Sequence, residues 1–139
     1  MEATNLSTFD EVLMKCADKG GKILLVEDEQ QIRSMLHDLL VNQGYNVIQA
    51  VDGVDALDKF KKDMHEIVLV ISDIIMPRMD GISSCKIMSA INPSIKFLYI
   101  SGCTSEQRLP DEAKVLAKPF SPLEFLGAVK SILAARTPF

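Results

Sequence analysis

Ile67-Val68-Leu69-Val70-Ile71 constrains the fold of this chain more than any other segment. It is an unbroken aliphatic run, mostly β-branched, and bounded by polar residues, so it reads as a strand with no polar face. A strand apolar on both faces must be covered on both. That is the setting of an inner strand in a parallel sheet with helices above and below. The flanking patterns agree. Lys22–Val26 (KILLV), Tyr45–Val51, Ile95–Ile100 and Lys114–Ala117 read as four further strands. Gln30–Asn42 places Ile32, Met35, Leu36, Leu39 and Leu40 on one helical face, with Gly44 as its stop. Asp52-Gly53 is a turn, and Val54–Lys62 is a short helix carrying Ala56, Leu57 and Phe60. Ile82, Cys85, Met88 and Ile91 recur at steps of three on a helix over Ile82–Ile91, which Asn92-Pro93 ends. Ser121-Pro122-Leu123-Glu124 combines a cap, a proline at the first helical position and a glutamate three after the cap, and it starts a helix reaching Ala135. Strands alternating with helices imply right-handed crossovers. The expected fold is a three-layer α/β sandwich of five parallel strands and five helices.

The Gly20-Gly21 joint separates residues 1–20 from residues 21–139. Before it, Phe9, Val12, Leu13 and Cys16 make one apolar face of an amphipathic helix over residues 7–18, too short to be stable alone. The chain has 139 residues, 47% hydrophobic and 24% charged, which suits one folded domain rather than a disordered chain. The longest aliphatic run is far short of the ~18–20 residues a membrane span needs. Met1-Glu2-Ala3-Thr4-Asn5 lacks the basic start of a secretory signal. A net charge of −4 argues against a surface dedicated to nucleic-acid phosphates. Cys16, Cys85 and Cys103 form neither a metal spacing nor a disulfide framework, so a reducing cytoplasm is expected.

In open parallel sheets, ligands bind beyond the carboxyl ends of the strands. Here those ends are rich in chemistry. The first strand runs into Glu27-Asp28-Glu29, the third into Asp73, the fourth into Ser101-Gly102 and the fifth into Lys118-Pro119. A single acid after a strand is commonly a helix cap or a solvated loop residue. Four strands delivering three carboxylates, a hydroxyl and a lysine to one edge is a different matter. Two unit charges ~4 Å apart repel by roughly 4 kcal/mol at an effective dielectric of about 20. Glu27, Asp28 and Asp73 therefore need a compensating cation, and a hard dication such as Mg2+ suits carboxylates, waters and a phosphate oxygen. With Lys118 opposite, the set has what phosphoryl transfer to an aspartate requires.

These residues resemble the receiver domain of two-component response regulators. The resemblance rests on Val26-Glu27-Asp28-Glu29, Asp73-Ile74-Ile75-Met76-Pro77-Arg78-Met79-Asp80-Gly81, Ile100-Ser101-Gly102 and Ala117-Lys118-Pro119-Phe120, and it spans residues 22–135. It implies a flavodoxin-like sheet in the order 2-1-3-4-5. It implies Asp73 as phosphoacceptor, Ser101 as switch hydroxyl and Lys118 as phosphoryl partner across a cis Lys118-Pro119 bond. Mg2+ (or Mn2+) would be placed by Glu27 and Asp28 and held by Asp28, Asp73 and the backbone carbonyl of Ile75. The donor would be a phosphohistidine on a sensor histidine kinase or a histidine phosphotransfer protein. The output would be a downstream protein or an attached domain, with a homodimer as one arrangement and no direct contact with nucleic acid or membrane. Such a module modifies itself and turns over no outside substrate. An aspartyl phosphohydrolase would carry a second Asp where Ile75 stands. A nucleotide or flavin binder would carry a glycine-rich loop in place of Glu27-Asp28-Glu29.

The chain departs from the receiver pattern in three places. Val115 stands where many receivers carry an aromatic switch residue in the fifth strand. The segment Thr104–Glu112 is short, contains Pro110 and predicts an abbreviated or irregular fourth helix. Together with Ser101-Gly102, that trimming resembles receivers attached to hybrid sensor kinases. Ile75 and Cys103, each two residues beyond a site residue, offer no strong water-positioning group, which predicts slow self-dephosphorylation. Arg78 reads either as a kinase contact or as surface charge, and His37 as a solvent-facing helix residue.

Overall fold

The computed structural model describes residues 21–76, 78–102 and 113–135. The elements are β1 (Lys22–Val26), α1 (Gln30–Asn42), β2 (Asn46–Ala50), α2 (Gly53–Asp63), β3 (Ile67–Asp73), α3 (Gly81–Ile91), β4 (Lys96–Ser101), β5 (Lys114–Ala117) and α4 (Pro122–Ala134). All neighbouring strands are parallel, and their order is β2-β1-β3-β4-β5. This is the expected flavodoxin-like three-layer sandwich, with four helices among the described residues. The expected helix over residues 7–18 and the irregular helix within Thr104–Glu112 lie outside the described residues.

The all-apolar run explains itself once the layers are in place. Val70 faces one core with Leu24, Val26, Phe60, Met88 and Tyr99. Leu69 and Ile71 face the other, with Ile23, Leu25, Leu36, Leu98 and Phe125. Alternate residues of β3 thus serve opposite cores, so neither face could be polar.

The helix ends follow local chemistry. Gly44, at φ +95°, sits just past α1. Its N–H donates to Val41 (2.9 Å), and the Tyr45 N–H donates to Leu40 (3.2 Å), which is a Schellman ending. Ser121 and Glu124 form the expected reciprocal cap of α4, at 2.7 and 3.1 Å. At its far end, the Lys96 ammonium donates to the carbonyls of Ile132 (3.1 Å) and Ala135. Asp52 caps α2, so that helix begins at Gly53, one residue earlier than its pattern suggests.

Two apolar positions do not fall where periodicity puts them. Met35 is 49% exposed and Ile91 38% exposed. The buried stripe of α1 is centred on Leu36 and Leu40, with Ile32 and Leu39 at its border. Met35 lies outside that stripe, beyond the sheet it could have reached. Among the described residues, no helix is long and apolar enough to cross a membrane.

Candidate functional site

Parallel strands all end at one edge, so the residues that follow them gather there. Asp73 is the last residue of β3 and is registered opposite Ile100 of β4. Ser101 ends β4 opposite Ala117 of β5, and Lys118 follows immediately. Glu27 and Asp28 follow Val26, which is registered against Ala50 and Ser72. The structure therefore brings the predicted residues Glu27, Asp28, Asp73, Ser101 and Lys118 to one edge of the sheet.

Within this set the carboxylates are close and unequal. Glu27, Asp28 and Asp73 each present an oxygen within 4.8 Å of the others. Glu27 and Asp73 are buried and Asp28 is exposed. Asp73 Oδ1 accepts from the Ile74 N–H (2.8 Å), and Oδ2 accepts from Lys118 Nζ (3.2 Å). Glu27 Oε2 accepts from the Glu29 N–H at 3.0 Å. Glu27 Oε1 is buried with no hydrogen-bond partner among the described residues; Lys118 Nζ lies 3.9 Å away, close enough to attract but too far to bond. The Lys118 backbone N–H donates to Ser101 O (2.8 Å), and the Lys118-Pro119 bond is cis, as expected.

The electrostatics follow from this geometry. Burial pushes the Glu27 carboxyl up to about 7; the Glu29 N–H and Lys118 oppose that rise, and the charge on Asp73 adds to it. Burial alone would depress the Lys118 ammonium, but Asp73 and Glu27 outweigh it and hold its pKa above the ordinary lysine value. A buried carboxylate oxygen with no donor, facing two further carboxylates, is an all-oxygen site that fits a hard dication.

The backbone around Asp73 is tightly drawn. A Cβ on Gly81 would lie 2.1 Å from the Asp73 carbonyl oxygen, and the Gly81 N–H donates to Ile74 O at 2.8 Å. Only glycine allows α3 to start against the end of β3 in this way. The Ile75 side chain is 60% exposed. Val115, where an aromatic was absent, is 44% exposed; its register partner Tyr99 is 3% exposed and stacks on Phe97 with ring centroids 6.2 Å apart. Cys103 lies outside the described residues. Sequence pattern carried no sign of one contact beside the site: Arg78 is bonded to Asp52, which had read as a plain turn residue.

Comparison with known proteins agrees with this geometry. Residues 23–130 match the family model of the response regulator receiver domain. Protein PilG of Pseudomonas aeruginosa is 35% identical over 133 residues, covering 90% of this chain and 96% of PilG. Sensor kinase CckA of Brucella abortus is 36% identical over 126 residues, covering 86% of this chain but only 13% of the kinase. Among solved structures, the CheX–CheY–BeF3–Mg2+ complex from Borrelia burgdorferi superposes with a TM-score of 0.75 at 28% identity, covering 82% of this chain and 90% of that one. The receiver domain of the hybrid histidine kinase CckA gives 0.72 at 34% identity, covering 81% and 99%. The chain belongs to the response regulator receiver family, whose members are phosphoacceptor modules of two-component signal transduction.

Proposed function

From that membership as premise, we propose that Asp73 is the residue that accepts the phosphoryl group, and that residues 21–139 form the receiver with residues 1–20 as an appended segment. The observation that carries this is the Asp73–Lys118 contact of 3.2 Å beside three carboxylates gathered within 4.8 Å. Glu27, Asp28, Asp73 and the Ile75 carbonyl would hold Mg2+ or Mn2+. When bound, the ion neutralises charge on the phosphoryl oxygens.

This chain's own residues do the rest. An Asp73 oxygen attacks the phosphorus of a phosphohistidine on a sensor kinase or phosphotransfer protein. An O–P bond forms and the P–N bond breaks. The electron pair passes to the ring nitrogen, which takes a proton from water. Lys118 steadies the phosphoryl oxygens, and Ser101, one residue past the register partner of Asp73, donates to another. The acyl phosphate carries roughly two negative charges where the carboxylate carried one, and it adds strong acceptor oxygens at one point. The contacts of Ser101 and Lys118 with it move the ends of β4 and β5, and a protein partner or an attached domain reads that face. Ile75 has no proton to give, so the chain acts as a self-modifying switch with no turnover on other substrates. The setting proposed is cytoplasmic, as monomer or homodimer.

Incubating the full chain with Mg2+ and acetyl phosphate should add the mass of one phosphoryl group, and Asp73→Asn should abolish it. Label that survives this substitution would refute the assignment. The exposed, apolar Ile75 gives no group to hold an attacking water. The acyl phosphate should therefore outlast a timescale of seconds once the donor is removed, and decay within seconds would contradict that.

A further inference from the structure

Arg78 lies five residues past Asp73, in the loop that joins the phosphoacceptor to α3. It is the one non-glycine residue at positive φ among the described residues, at +68°. For such a residue this conformation costs about 1–2 kcal/mol. The same twist sends the guanidinium to the N-terminus of α2, where it grips Asp52 with both oxygens engaged: Nε to Oδ2 at 2.6 Å and Nη2 to Oδ1 at 3.0 Å. An ordinary surface ion pair contributes little. This one differs, because Asp52 is only 5% exposed while also accepting from the Asp55 N–H at 2.8 Å. Arg78 supplies the counter-charge that holds the Asp52 carboxyl below the ordinary carboxylate range.

The contact is one of three that pin this loop. At its base, the Gly81 N–H closes on Ile74 O. At its side, the Met79 carbonyl rests on Gly53, where a Cβ would approach to 2.5 Å. At its crown, Arg78 holds Asp52. Gly53 and Asp52 are adjacent, so the start of α2 serves as a fixed anvil for the loop carrying Ile75.

We infer that the Asp52–Arg78 pair is a positioning latch, holding the loop after Asp73 in the arrangement competent to bind Mg2+ and accept the phosphoryl group. The inference rests on the reading of Asp73 as phosphoacceptor. Arg78 and Asp52 are positioning residues, since they act through the loop backbone. With the latch gone, the competent arrangement becomes a fraction of the population, and the apparent affinity for Mg2+ falls by that fraction.

Two variants separate this role from simple stabilisation. Arg78→Gly removes the guanidinium and adopts positive φ freely. Asp52→Asn keeps the helix cap, since asparagine caps as well as aspartate. Full-length wild type, both variants and the double variant are incubated with acetyl phosphate over a Mg2+ series, with uptake followed by intact mass and folding followed by thermal melting. The Mg2+ concentration for half-maximal rate should rise about threefold to tenfold in each single variant, with the proteins folded at the assay temperature. The double variant should be no worse than the singles, because both remove one contact. Variants that follow the wild-type Mg2+ curve, or that lose rate only in proportion to their unfolded fraction, overturn the latch. If wild type itself gains no phosphoryl mass, the assignment of Asp73 falls and the latch with it.

Discussion

Asp73 and Lys118 touch, yet they arrive on strands built in opposite ways. β3 has seven residues, pairs on both sides, and buries Leu69, Val70 and Ile71 completely. β5 has four residues, pairs among the described residues only with β4, and leaves Val115 44% exposed. Displacing β3 would open two ladders and two cores at once. Displacing β5 would open one ladder and far less apolar area. Asp73 therefore stands on the stiff part of the sheet and Lys118 on the compliant part. A change of charge at Asp73 has an easier outlet toward β4 and β5 than toward β1.

The largest test of this contrast is Ile71→Ala in β3. It should cost about 2–5 kcal/mol, because a fully buried side chain leaves a cavity that both neighbouring strands hold open. Urea denaturation measures it.

Next comes pH, which probes the junction of the two regions. The Glu27 carboxyl is raised from 4.5 to about 7 in the folded chain, so the native state holds that proton more tightly than the unfolded one. The contribution of Glu27 to the stability of the metal-free protein should be fully present near pH 4.5 and fall as pH rises to 7, by on the order of a few kcal/mol. Added Mg2+ should restore more stability at the upper end of that window than at the lower. A melting temperature that climbs across the window without metal would contradict the assigned environment of Glu27.

The smallest effect should be Val115→Ala, at under about 1 kcal/mol, since little of that side chain leaves water. A loss as large as that of Ile71→Ala would erase the distinction between the strands.

What could be read beforehand, and what could not, follows the range of the forces involved. The strand and helix pattern was legible because it depends on neighbours in sequence: Val70 alternating with Leu69 and Ile71, or Ser121 three residues before Glu124. The gathering of Glu27, Asp28, Asp73 and Lys118 was legible because parallel strands put their ends together whatever the details of packing. The exposure of Met35 was not, because helical periodicity says which residues share a face but not how wide a face the sheet can cover. The Asp52–Arg78 contact was the least accessible. Its partners lie 26 residues apart, and one of them is an arginine in a backbone conformation that its residue type disfavours.

The hold of Lys96 on Ile132 and Ala135 ties the end of α4 to the start of β4. Lys96 opens β4 and Ser101 closes it, so Ala135 is moored at the pole of the sandwich opposite the aspartate. The end of α4 and the acidic rim are therefore separated by the full length of β4.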